Sequence, residues 1–238
     1  AAAILRQVGG SAQAGADLVE AGDPKAAIRA LLEIDPAELS ELTPKVAAAA
    51  RAAGLDTSGA DALETVATDY PGDAGVLVAV LMGQRVLSEG DAVYVPAGVV
   101  HAYVSGTGVE VMTASDNVLR LGLTPKTIAV DEALDALDPE LAPQPMSGEP
   151  TALPSGGIHR HYAPAGAPFI VDWIGDGSFT SATGDYRLVL AVSSSVTVSV
   201  DGAELLLSQG QAAAVLASEG DVRVTTTGAA VIARPASQ

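Results

Sequence analysis

The chain changes its grammar once, at Asp69-Tyr70-Pro71-Gly72-Asp73, and that change constrains the fold more than any other feature. Before it, apolar residues recur with helical spacing in Ala-rich segments. After it come short Val-rich runs broken by Gly, Pro and Asp, the pattern of strands and turns. Asp23-Pro24, Asp35-Pro36 and Thr43-Pro44 each set a capping side chain before a proline suited to the first helical turn. Gly54 is a natural stop after Lys45 to Ala53, and Ser58 is placed to cap a last helix through Val66. Residues 1–68 therefore read as a helical domain. It has no His and no Gly-rich phosphate loop, so it reads as scaffold.

Beyond residue 69 the expected strands are Val76 to Met82, Ala92 to Val95, Val100 to Val104 and Val109 to Met112, followed by a helix from Val130 to Leu137. Residues 138–157, rich in Pro, Ser and Gly, read as a linker. A second β block, 158–238, holds expected strands at Arg187 to Val192, Ser195 to Val200, Ala212 to Leu216 and Val222 to Thr226. Sliding Val76–Met112 onto Val196–Ile232 without gaps matches 13 of 37 positions, including Ser88/Ser208, Gly90/Gly210 and Val111/Val231. That repetition points to a duplicated antiparallel β unit of the jelly-roll kind. The expected fold class is thus mainly β, two such units plus an all-α segment on the N-terminal side. His101 aligns with Asp221 and Glu110 with Ala230, which places any chemistry in the first copy.

Composition removes several functions. Twelve Lys and Arg against 29 Asp and Glu give a net charge of −17. Nucleic-acid binding needs cations facing phosphates, and anionic membranes need a polybasic patch; neither partner is expected. No apolar run approaches the ~18 residues that span a bilayer. With 48% hydrophobic and 17% charged residues the chain is globular, and without cysteine it has neither a disulfide frame nor a thiolate metal site. A cytoplasmic location is the expectation. Ala1 to Arg6 reads as the inside of a helix without a cap, so the chain is expected to be part of a longer protein.

Chemistry-bearing residues gather between Glu89 and Lys126. A strand, the Pro96-Ala97-Gly98 turn and a second strand would set His101 and Tyr103 on one face. His101 is either a hydrogen-bonded core histidine or, facing into a small barrel, a ligand for zinc or iron. Glu110 stands in an apolar run and needs a partner if it points inward. Ser115-Asp116-Asn117-Val118-Leu119-Arg120 brings together a carboxylate, an amide and a guanidinium, as a loop salt bridge or as an anion contact. Lys126 is a surface cation or a phosphate contact. His159-Arg160-His161 is an i, i+2 pair that can chelate from one strand face, but it follows the flexible stretch and is read as surface-exposed.

The ordered run Gly90-Asp91-Ala92-Val93-Tyr94-Val95-Pro96-Ala97-Gly98-x-x-His101-Ala102-Tyr103, then Gly106-x-Gly108-Val109-Glu110-Val111-Met112 and Ser115-Asp116-Asn117-Val118-Leu119-Arg120-x-Gly122-Leu123-Thr124-Pro125-Lys126, closely resembles type I mannose-6-phosphate isomerases. Tyr70-Pro71-Gly72-Asp73-x-Gly75 fits the same pattern. The resemblance implies a zinc enzyme of cupin fold, one ion per complete active site, acting on a small sugar phosphate in mannose metabolism. Such an enzyme would interconvert mannose 6-phosphate and fructose 6-phosphate through a cis-enediol(ate). His101 matches the family's last zinc ligand and Arg120 its catalytic arginine; Glu110, Asp116 and Lys126 match positions near the substrate pocket. It further implies that residues 69–137 are part of a central cupin domain and that the last block is a C-terminal cupin-like domain.

The family takes its other zinc ligands from a Gln-x-His pair and a Glu. Here no His precedes His101, and Gln7, Gln13 and Gln84 lack that context. The expectation is accordingly a C-terminal portion of the enzyme. The alternatives are a non-catalytic cupin module that binds a sugar or sugar phosphate and, less in keeping with a single histidine in the first β block, a metal-dependent dioxygenase-like cupin.

Overall fold

A computed structural model describes residues 1–115, 117–182 and 184–236. It divides into two compact units. One comprises Ala1–Val86, Val95–Gly108 and Ala114–Ala142, the other Leu87–Tyr94, Val109–Thr113 and the chain from Pro143 onward. Among the described residues no helix is long and apolar enough to cross a membrane.

The first unit is helical: α1 (Ala2–Val8), α2 (Ala12–Glu20), α3 (Pro24–Leu32), α4 (Pro36–Leu42), a 3₁₀ turn at Thr43–Lys45, α5 (Val46–Ala52), α6 (Thr57–Asp69), α7 (Gly75–Ala79) and α8 (Val130–Ala136). Asp23 and Asp35 cap as the sequence indicates, accepting from the backbone N–H of Ala26 and Ala37. For α6 the cap is Asp56, which accepts from Gly59 N–H, and Ser58 lies inside the helix. Thr43 is not a cap; its buried hydroxyl accepts from Gly72 N–H instead. The many alanines let these short helices lie close around a core centred on Leu5, Leu31, Val46, Val76 and Leu77.

The second unit is antiparallel β: β1 (Asp91–Tyr94), β2 (Gln144–Ser147), β3 (Thr151–Ala152), β4 (Ile158–Tyr162), β5 (Phe169–Ser181), β6 (Arg187–Ser193), β7 (Val196–Val200), β8 (Ala203–Leu207), β9 (Ala212–Val215) and β10 (Val222–Pro235). β1 pairs with β2. The other eight form one sheet in the order β3-β4-β5-β10-β6-β9, with β7 joined to β10 and β8. β10 runs against β5 along its whole length but changes partner on its other edge. Its first residues pair with β7, its last with β6, and register shifts at Thr226/Ala229 and Ala229/Ala230 mark the exchange. Both halves thereby face one core of Ile174, Val189, Val196, Val198, Val222, Val224 and Ile232.

Four expected segments differ in the structure. Val76 to Met82 is not a strand: Gly75–Ala79 is a helix, with Val76, Leu77 and Val78 all buried. A short, uniformly apolar run has no period to distinguish the two, and burial on every side suits a helix as well as a strand. Val100–Val104 and Val109–Met112 form no strand either, and Val104, Val109 and Met112 are exposed. A strand needs a partner edge, and among the described residues none pairs with them. The gapless repeat consequently aligns helix with strand at Val76/Val196, so it reflects shared composition at that point. Residues 138–157, expected as linker, carry β2 and β3.

Candidate functional site

The residues singled out between Glu89 and Lys126 fall in both units. In the helical unit, Asp73 organises the segment that carries Arg120. Its Oδ1 accepts from Gly75 N–H at 2.7 Å and its Oδ2 from Leu123 N–H at 3.1 Å, so one carboxylate ties the start of α7 to the Gly122-Leu123 loop. The backbones approach so closely that a Cβ on Gly122 (φ +132°) would lie 2.6 Å from Gly75 Cα. Asp73 and Gly75 of the Tyr70-to-Gly75 motif are thus the fastening for the arginine segment.

Arg120 itself is half-buried, and its Nη1 donates to Val118 O at a long 3.4 Å. Among the described residues it forms no ion pair, so the salt-bridge reading has no described carboxylate behind it. Lys126 is exposed, with its backbone N–H on Thr124 Oγ1. Asp116 lies outside the described residues. Glu110 is exposed and belongs to the β unit.

His101 is exposed rather than turned into a barrel. Its Nδ1 lies 3.1 Å from Val99 O, and its ring meets that of Tyr103 edge to face. The pair does share a side, as the alternation implies, but without a strand beneath it. Zinc held by protein alone takes three or four ligands. Among the described residues no cluster of three metal-ligating His, Asp or Glu includes His101, so the residues present around it do not make a zinc site.

The cluster that does assemble is elsewhere, in the β unit. β4 and β5 pair with His161 opposite Asp172 and His159 opposite Ile174, which puts His159, His161 and Asp172 on one face. His159 Nε2 and His161 Nδ1 donate to the same oxygen, Asp172 Oδ1, at 2.8 and 2.7 Å. On the other side β10 sets Ile232 opposite Asp172, so Arg234 is its diagonal neighbour, with Nε 3.5 Å from Oδ2. Asp172 is 2% exposed at its side chain, His159 17% and His161 46%. His159 is therefore largely buried, against the expectation of a surface pair, and Phe179 stacks on its ring with centroids 4.2 Å apart.

Sequence reasoning passes over Asp172 and Arg234. The signal is present: Phe169-Ile170-Val171-Asp172-Trp173-Ile174 is an apolar run with one acid, and a buried acid requires partners.

No family model matches the chain. Curated relatives do. A mannose-6-phosphate isomerase of Rattus norvegicus is 34% identical over 164 residues, 67% of this chain and 36% of the relative. A probable mannose-6-phosphate isomerase of Dictyostelium discoideum is 50% identical over 70 residues, 29% of this chain and 16% of that one. The likeness is to the mannose-6-phosphate isomerases. In fold the chain superposes, with a TM-score of 0.73 and 22% identity, on the Salmonella typhimurium mannose 6-phosphate isomerase solved bound to its substrate and a zinc atom, over 98% of this chain and 60% of that one. The antiparallel β unit and the helices are thus a fold shared with those isomerases, and the cupin-like architecture stands. The chain spans about a third of the rat isomerase and three-fifths of the Salmonella one.

Proposed function

We propose that this chain is the C-terminal portion of a zinc-dependent mannose-6-phosphate isomerase, taking a sugar phosphate and interconverting mannose 6-phosphate and fructose 6-phosphate. The observation that carries the reading is the ordered run from Gly90 to Lys126, in a chain whose curated relatives bear that name. The reaction moves a proton from C2 of the open-chain aldose to C1, while the carbonyl passes from C1 to C2 through a cis-enediol(ate). Negative charge gathers on O1 and O2 on the way. The role of Arg120 is to hold that charge: a planar guanidinium, half-buried, unpaired among the described residues and fixed by the Asp73–Gly122 fastening, is pre-organised for two adjacent oxygens. Lys126 supplies a cation for the phosphate, and Asp116 is assigned to a sugar contact. His101 stands where the family resemblance would put a zinc ligand, and the described residues around it do not complete a zinc site.

The test is an isomerase assay on the 238-residue chain and on the product of the whole reading frame that contains it, each with zinc. Arg120→Ala in the active form is expected to lower kcat by about two to three powers of ten, the loss typical of one transition-state anion contact. Near wild-type turnover in that variant removes the role given to Arg120. A second reading, a non-catalytic cupin module that binds a sugar phosphate, is favoured by the single described ligand at His101. It requires that fructose 6-phosphate raise the melting temperature while the whole product shows no turnover.

A further inference from the structure

We propose that His159, His161 and Asp172 form a binding site for one divalent transition-metal ion in the β unit, with a coordination position left for water. Two neutral imidazoles and a carboxylate are a donor set suited to zinc, and three protein ligands with one open position are a recurrent arrangement for it. The ligand atoms lie within 4.8 Å of one another, with Asp172 Oδ1 at 2.7–2.8 Å from each ring nitrogen. Bonds of about 2.0–2.1 Å in tetrahedral array set ligand atoms roughly 3.3 Å apart. The cluster must therefore open by about half an ångström, and His161, at the exposed end, has the freedom to do so.

Three further features distinguish this cluster from a chance meeting of polar groups. The ligands come from two hydrogen-bonded strands in fixed register, so their spacing is set by backbone rather than by long side chains. His159 is held from behind by the stacked ring of Phe179, which leaves Nε2 aimed at the carboxylate. Asp172 Oδ2 is buried and lacks a hydrogen bond, because Arg234 at 3.5 Å makes an ion pair with it and no more. Oδ2 thus faces the arginine while Oδ1 faces both imidazoles, so the carboxylate presents one oxygen to a cation seated among the three. His161 and Arg234 also line a cavity of about 690 Å³, bounded by Ala163, Pro164 and Pro168, through which an ion and its water can reach the cluster.

The experiment is titration of the metal-free 238-residue chain with Co²⁺, read by its ligand-field absorption, followed by displacement with Zn²⁺. One ion per chain in a four- or five-coordinate spectrum is expected. His161→Gln, at the exposed position, and Asp172→Asn, which keeps shape and loses charge, are each expected to weaken binding at least about a hundredfold, beyond the loss seen when only a supporting contact is removed. His101→Gln should leave the stoichiometry unchanged. Circular dichroism of each variant checks that the sheet is intact. A chain that takes up no cobalt, or variants that bind as the parent does, overturns the proposal. So does loss of the ion in His101→Gln with retention in His161→Gln, which moves the metal to the other unit. None of these readings depends on isomerase turnover, so this proposal and the enzymatic one fail separately.

Discussion

Arg187 is wholly buried, its guanidinium held by backbone carbonyls, and its replacement by Met should destabilise the β unit by about 3 kcal/mol. Its Nη1 donates to Ala182 O at 2.9 Å and Gly220 O at 3.1 Å, and its Nη2 to Leu216 O at 3.2 Å and Glu219 O at 3.3 Å. One guanidinium thus closes the turn between β5 and β6 and the turn between β9 and β10. Hydrogen bonds from a charged donor contribute about 1.5–3 kcal/mol each, so four sum to roughly 6–12. Against this stands the cost of burying the cation, several kcal/mol, and Nε has no partner to offset it. The remainder is a few kcal/mol. Leu216 and Glu219 are exposed residues whose carbonyls regain water when the donor goes, which places the loss near about 3 kcal/mol, a little over two powers of ten in the folded ratio. Trp173, the one tryptophan of the sequence, sits on β5 and reports this unit during urea unfolding. Arg187→Lys should lose at least as much, because an ammonium keeps the buried charge but lacks the fork that reaches four carbonyls. A Met variant within about 1 kcal/mol of the parent would refute the reasoning, and a fully stable Lys variant would show that charge matters rather than the fork.

Two further outcomes concern the helical unit. Gly122→Ala forces a Cβ to 2.6 Å from Gly75 Cα at a φ of +132°, and should cost about 2 kcal/mol in a thermal melt followed at helical wavelengths. In the active enzyme it should also lower kcat more than it changes KM, because the segment it loosens carries Arg120. Glu38 accepts from the N–H and the hydroxyl of Ser11, at 2.7 Å each, and the backbone hydrogen bond followed by the side-chain one holds its carboxyl below the ordinary value of 4.5. The folded state binds that proton less readily than the unfolded chain, so the contribution is present above 4.5 and is lost as pH falls through the lowered value. Glu38→Gln should flatten the fall of melting temperature on the acid side of 4.5; an unchanged slope places the acid sensitivity elsewhere.

What can be read in the sequence is what is written locally. Asp23-Pro24 and Asp35-Pro36 carry their own caps, so those helix starts are evident. Arg187–Ser193, Val196–Val200, Ala212–Val215 and the start of β10 alternate between core and solvent or are bounded by Gly and Asp, so they too are legible. Gly75-Val-Leu-Val-Ala carries no period, and its helix is decided by the core around it. The candidate sites divide in the same way. Arg120 and His101 stand in one continuous run of chain, where a motif can be seen. The His159–His161–Asp172 cluster needs a fact no run of sequence contains, the register that sets His161 opposite Asp172 while β10 brings Arg234 beside it. A shift of one residue in that pairing sends Asp172 and the histidines to opposite faces and leaves three polar groups without partners. The requirement that a buried carboxylate meet donors therefore selects this register over its neighbours. The same polar cluster that offers a metal its ligands also fixes how β4 joins the sheet.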